Sequence, residues 1–231
     1  MVKFGELDSL GCKHNTDKAS SFEYNGNIFQ GHDYLKYYEE FLYKFKKEKF
    51  ALIELGCFRG SSLRMWKKYF PKADIIGVDL NEDLRPVLEA DKIKFICSDA
   101  TSEDLPVKIS EMTTQNIKCI IDDCSHAWGD MRRSFEMLFP ILSNGGYYII
   151  EDLECGTGGA YPNYPPKVLD SQPFFDYALD RMRILRVSEN RNPVRFRPFF
   201  HELPQYIQEL ELSIDMAMVV PGAIIFRKKI K

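Results

Sequence analysis

The residues from Ile120 to Glu154, IIDDCSHAWGDMRRSFEMLFPILSNGGYYIIEDLE, constrain the fold of this chain more than any other stretch. Two apolar runs, Cys119 to Ile121 and Gly146 to Ile150, each end in a pair of carboxylates. Between them, over Gly129 to Leu142, the residues Met131, Phe135, Leu138, Phe139 and Leu142 recur at helical spacing. A strand, a helix and a second strand in that order imply a crossover between parallel neighbours. Asp122, Asp123, Glu151 and Asp152 then leave the sheet together at its carboxyl edge, with His126 just beyond the first pair. Carboxylates held close repel one another, so the repeat on adjacent strands makes sense chiefly around a cation. An oxygen-only set points to magnesium, or manganese as a similar hard ion.

The rest of the chain repeats the alternation. ALIEL (Ala51 to Leu55) reads as a buried strand, Gly56 to Gly60 as a turn, and Ser61 to Phe70 as a helix with Leu63, Met65, Trp66 and Phe70 on its apolar positions. DIIGVDL (Asp74 to Leu80) and KIKFIC (Lys92 to Cys97) supply two more strands. The expected fold class is α/β, a doubly wound, mostly parallel Rossmann-like sheet. Ligands of such sheets bind beyond the strand carboxyl ends, where Glu54, Asp79, Asp99, Asp123 and Glu151 all fall.

One domain is expected over residues 1–231, in four parts. Residues 1–49 read as a helical, aromatic layer without a strand, in which Tyr34, Tyr38, Phe41 and Phe45 pack on the body. Residues 50–152 form the core. Residues 153–205 begin with the Gly- and Pro-rich CGTGGAYPNYPPK, a lid and acceptor region, and resume as helix over Pro173 to Leu185. Residues 206–231 end in an antiparallel hairpin, Leu212 to Val220 and Ala223 to Lys229 around Pro221-Gly222. Arg191, Arg195 and Arg197 form a small basic cluster, read by default as a solvated face and otherwise as an anion site.

With 31 basic and 34 acidic residues the formal charge is −3, which gives no electrostatic reason to expect nucleic acid as a partner. A small molecule or glycan precursor is the more natural substrate, and a homo-oligomer is left open. The start has no apolar signal region, and no run approaches the roughly 20 apolar residues of a membrane span. The expectation is a soluble, cytoplasmic protein. The six cysteines include no CxxC pair, which fits reduced thiols and no zinc site.

Glu54-Leu55-Gly56-Cys57-Phe58-Arg59-Gly60 is a glycine turn between strand and helix, where a ligand can approach the backbone. It lacks GxGxxG, which disfavours a nicotinamide dinucleotide. Asp79, ending the second strand, is placed to accept hydrogen bonds from two ribose hydroxyls, and Asp99 to receive an adenine amino group. Each alone could be a cap or turn residue; with the Glu54 turn they favour a nucleoside cofactor.

On these residues the chain resembles a known family. ELGCFRG, IIGVDL and SDA are similar to successive motifs of class I S-adenosylmethionine-dependent methyltransferases. NTDK with HDYLKYY, SSLRMWKKYFP, DDCSH and GGYYIIEDLE resemble the metal-dependent sugar O-methyltransferases of macrolide biosynthesis, which include the mycinamicin and rhamnosyl enzymes. The likeness covers most of the chain, but not the large N-terminal auxiliary domain of the mycinamicin enzyme. It implies metal ligation by Asp123, Glu151 and Asp152, and His126 as general base. Thr16 and Lys18 of NTDK are expected at the cofactor with Glu54, Gly56, Gly60, Asp79 and Asp99. Asp122 is expected to support the centre from behind, with Trp128 packing at its mouth.

The implied reaction is methylation of a sugar hydroxyl in a glycoside, nucleotide sugar or surface glycan precursor. The sulfonium methyl is already activated, so the protein's task is to activate and aim the hydroxyl. A catechol-type O-methyltransferase would use the same metal logic. A nicotinamide oxidoreductase and a non-catalytic nucleoside-binding protein are the rivals from other classes.

Overall fold

The computed structural model describes residues 5–157, 174–182 and 199–230. Five parallel strands form its centre: β3 (Ala51–Leu55), β4 (Asp74–Asp79), β5 (Lys94–Cys97), β6 (Ile117–Asp122) and β7 (Tyr147–Ile150). The hairpin β8 (Ile214–Val220) and β9 (Ala223–Lys228) adds through β9, which runs antiparallel to β7. The order across the seven-stranded sheet is β5-β4-β3-β6-β7-β9-β8. Chain direction across the sheet therefore reverses between β3 and β6, the position where open α/β sheets hold their ligands.

Helices cover both faces, which is why the strands are apolar almost throughout. Alternation along β3 sends Leu52 toward α1 (Glu6–His14), α2 (Leu35–Leu42) and α3 (Ser61–Tyr69), where Leu7, Leu35, Leu63 and Trp66 are fully buried. Ala51, Ile53 and Leu55 go to the other face, against Phe135 and Leu138 of α6 (Trp128–Leu138) and Phe174 of α7 (Phe174–Met182). Each large aliphatic or aromatic side chain so buried stabilises the fold by roughly 1.5–3 kcal/mol. Three shorter helices, α4 (Arg85–Ala90), α5 (Leu105–Met112) and α8 (Gln205–Ser213), complete the layers. All six cysteines are free thiols.

The N-terminal layer departs from expectation. It contains a two-stranded hairpin, β1 (Ser21–Tyr24) and β2 (Asn27–Gln30), where an uninterrupted helical layer is predicted. The signal lies in Asn25-Gly26: both residues have positive φ, 50° and 78°, as a two-residue turn between twisted strands demands. The C-terminal hairpin begins at Ile214 and not Leu212, because α8 continues through Ser213. Most of the expected lid, with Arg191, Arg195 and Arg197, lies outside the described residues. Among the described residues no helix is long and apolar enough to cross a membrane.

Candidate active site

Register alone gathers the acidic residues. Leu55 is paired with Asp122, and Asp122 with Ile150. One residue further on, Asp123 N still donates to Leu55 O (2.9 Å) and Glu151 N to Asp122 O (3.0 Å). Gly56, Asp123 and Glu151 therefore emerge side by side at the carboxyl edge. Gly56 must be glycine for two reasons: its φ is +84°, and an added Cβ would lie 2.0 Å from the Asp123 carbonyl oxygen.

On the β3–β4–β5 side the chain shapes itself. Asp79 Oδ2 accepts from Cys57 N (2.8 Å) and Oδ1 from Asn81 N (2.9 Å), which fixes the carboxylate across the glycine turn. Asp99 Oδ1 accepts from Thr101 N and Thr101 Oγ1, both at 2.8 Å. Two hollows meet here, sharing Gly56, Asp79 and Cys124. The smaller, about 390 Å³, mixes apolar Val78, Leu80 and Ala100 with the carboxylates of Asp79, Asp99, Asp122 and Asp130. The larger, about 490 Å³, is lined by Thr16, Lys18, Glu54, Asp79, Asp123, His126 and Asp152 among others.

Glu54 is buried, taking hydrogen bonds from Ser62 Oγ and Trp66 Nε1 (2.5 Å). Burial raises its carboxyl above the usual range. Gly60 lines neither hollow; with φ +75° and its N–H on Cys57 O (2.7 Å), it shapes the turn into α3. Thr16 is buried, and its hydroxyl accepts from Lys18 N at 3.4 Å.

On the β6–β7 side, ligand atoms of Asp123, His126 and Asp152 all lie within 4.8 Å of one another. His126 Nε2 is 4.0 Å from Asp123 Oδ1 and 3.8 Å from Asp152 Oδ2. His126 and Asp152 both adopt left-handed backbone, φ +53° and +55°, a cost of order 1–3 kcal/mol each that is typically tolerated at working sites. The Asp123 and Asp152 carboxylates offer the oxygen ligands a hard divalent ion takes, which the His126 imidazole does not; Glu151, expected as a third ligand, lies outside this group, its oxygens bonded by Lys18 and Tyr38. His32 and Glu154 form a second such group with Asp152.

Asp122 turns away from this centre, accepting from Ser134 Oγ and, at 3.4 Å, from Tyr148 OH. Its carboxyl is raised to about 7 by burial. Trp128 Nε1 reaches Leu153 O at 3.4 Å, closing the loop behind Asp152.

The N-terminal layer contributes groups that sequence reasoning read as packing. Tyr34 OH donates to Asp152 Oδ1 (2.8 Å) and Tyr38 OH to Glu151 Oε1 (2.9 Å). Both phenols are pushed up, first by burial and then by these carboxylates. His32 Nδ1 lies 3.6 Å from Asp152 Oδ1. The spacing of Tyr34 and Tyr38, one helical turn apart on the residue run HDYLKYY, was the available signal. Lys18, expected on the cofactor, carries its ammonium between Asp123 Oδ2 and Glu151 Oε2 (2.5 Å to the latter), with Glu54 Oε1 at 3.9 Å. Burial disfavours that charge, but Asp123, Glu151 and Glu54 outweigh it and hold the ammonium well above its ordinary pKa.

The fold has a solved counterpart. The MycE methyltransferase of the mycinamycin biosynthetic pathway, solved in complex with Mg and SAH, matches with a TM-score of 0.73 at 20% identity, over 98% of this chain and 55% of that one. The chain has a methyltransferase fold. No family model matches it. Over 155 residues it is 31% identical to the L-olivosyl-oleandolide 3-O-methyltransferase of Streptomyces antibioticus, covering 63% of this chain and 36% of that protein. Over 167 residues it is 30% identical to the 8-demethyl-8-(2-methoxy-alpha-L-rhamnosyl)-tetracenomycin-C 3'-O-methyltransferase of Streptomyces olivaceus, covering 68% and 40%. The chain thus spans well under half the length of these curated relatives.

Proposed function

We propose that the chain is an S-adenosylmethionine- and divalent-metal-dependent O-methyltransferase that acts on a sugar hydroxyl of a glycoside, nucleotide sugar or glycan precursor. The observation that carries this reading is the convergence of Asp123, His126 and Asp152 in a hollow that Asp79 also lines. The similarity to sugar O-methyltransferases supports it. When bound, the cofactor would supply an electrophilic methyl group and the ion a Lewis acid for the acceptor oxygen.

The chain's own residues do the rest. Asp79 has lone pairs left for ribose hydroxyls after its two backbone hydrogen bonds, and Asp99 lines the smaller hollow, where it would accept from the adenine amino group. Asp123, Glu151 and Asp152 would hold the ion, with Tyr34 and Tyr38 fixing the last two from behind. His126 Nε2 takes the acceptor hydroxyl proton, and the Asp123 and Asp152 carboxylates, at 4.0 and 3.8 Å, face the imidazolium so formed. Holding the hydroxyl in line with the methyl can remove up to roughly 7–11 kcal/mol of the barrier.

The test is methyl transfer from labelled S-adenosylmethionine to a panel of glycosides, nucleotide sugars and catechols, with magnesium and with chelator. Magnesium-dependent labelling of sugar acceptors is expected. Labelling of catechols alone would replace the acceptor class, and full activity in chelator would remove the ion.

A further inference from the structure

Lys18 is a charged group of the site to which the proposed chemistry gives no task. Its loop, between α1 and β1, is tied to the start of α2: Lys18 O accepts from Tyr34 N (2.9 Å), Asp17 O from His32 N (2.7 Å) and Ala19 O from Asp33 N (3.1 Å). The side chain is 3% exposed. Its ammonium bonds Asp123 Oδ2 and Glu151 Oε2, while Tyr38 takes the other oxygen of Glu151. A divalent ion shared by Asp123 and Glu151 would draw on the same oxygens.

We propose that Lys18 is a tethered counter-cation that competes with the divalent ion. It holds Asp123 Oδ2 and Glu151 Oε2 together in the metal-free protein, and loading the ion requires its ammonium to leave them. This rests on the metal-dependent reading above and deepens it. Two consequences follow from the charge alone. The acidic cluster keeps its shape without metal, because one internal positive charge offsets part of the mutual repulsion of Asp123, Glu151 and Glu54. Metal affinity is weaker than the bare carboxylates would give.

The experiment compares wild type with Lys18→Met by calorimetry against magnesium chloride alone, and by thermal melting in chelator. The variant should bind magnesium roughly ten-fold or more tightly than wild type and melt lower without it. Equal or weaker magnesium binding by a folded Lys18→Met protein overturns the proposal. If the variant fails to fold, wild type decides: an amine-reactive ester should spare Lys18 in chelator and label it in saturating magnesium, read by peptide mass spectrometry. Equal protection in both conditions overturns the competition but leaves the proposed function intact. Absence of magnesium binding in both proteins overturns this inference together with the metal of the proposed function.

Discussion

The two halves of the site are built in opposite ways. On the half proposed for the nucleoside, Asp79 is fixed by backbone donors 22 and 2 residues away, and Asp99 by Thr101, 2 residues on. On the acidic half, Asp123, Glu151 and Asp152 are held by Lys18, Tyr38 and Tyr34, partners 105 to 133 residues distant. A turn that satisfies its own carboxylate folds with the strand that carries it. Three carboxylates on adjacent strands cannot do this, because each neighbour adds repulsion, and only a cation or a donor from elsewhere relieves it. The N-terminal layer is therefore part of the proposed site as well as of the core.

The comparison breaks most easily at Asp123. Asp123→Ala should reduce methyl transfer to background, a loss on the order of 10⁴-fold or more, while affinity for the demethylated cofactor stays within about three-fold. Turnover on a sugar acceptor and calorimetry with the demethylated cofactor measure the two. If both fall together, the halves are one unit and the division is wrong.

His126→Ala sharpens the acidic half. Turnover at neutral pH should drop by about 10²- to 10⁴-fold, with bound metal unchanged and partial recovery as rising pH supplies hydroxide. Metal analysis of the purified variant separates the roles, since loss of the ion along with the imidazole would make His126 a ligand and not the base. On the other half, Asp79→Ala should weaken cofactor binding by roughly 1.5–3 kcal/mol for each charge-assisted hydrogen bond lost, leaving magnesium binding as in wild type. Unchanged cofactor affinity would take Asp79 out of the ribose site.

What could be read from the sequence follows the same division. The parallel strands, the glycine turn and the carboxylate pairs ending β6 and β7 are local patterns, and periodicity with strand-end position was enough to find them. Asn25-Gly26 was equally local and should have disclosed β1 and β2; the aromatic content around it masked the turn signal. Lys18, Tyr34 and Tyr38 were not legible in that way. A buried lysine and two tyrosines acquire their roles only when α1 and α2 close over the sheet; the one-turn spacing of Tyr34 and Tyr38 pairs the phenols, but it does not mark the carboxylates they meet.

The smallest effect comes from the opposite edge of the sheet, and it calibrates the others. Asp74 begins β4 and accepts from Thr113 Oγ1 (2.6 Å) and Lys94 Nζ (2.9 Å), a carboxylate at a strand end with no part in the site. Partial burial alone raises its pKa, but the hydrogen bonds from Thr113 and Lys94 outweigh this and hold it below the usual aspartate range. A carboxyl with a depressed folded pKa contributes stability above its unfolded value, about 3.9, and loses it as pH falls through the folded value. Asp74→Asn should therefore cost less than about 1 kcal/mol near neutral pH, since Lys94 is 39% exposed and solvent screens the pair. In urea titrations the gap between wild type and variant should close as pH is lowered from about 7 toward about 3. A gap that stays constant would assign the loss to the changed shape of the side chain, and the charge bookkeeping used for the acidic half would lose its control.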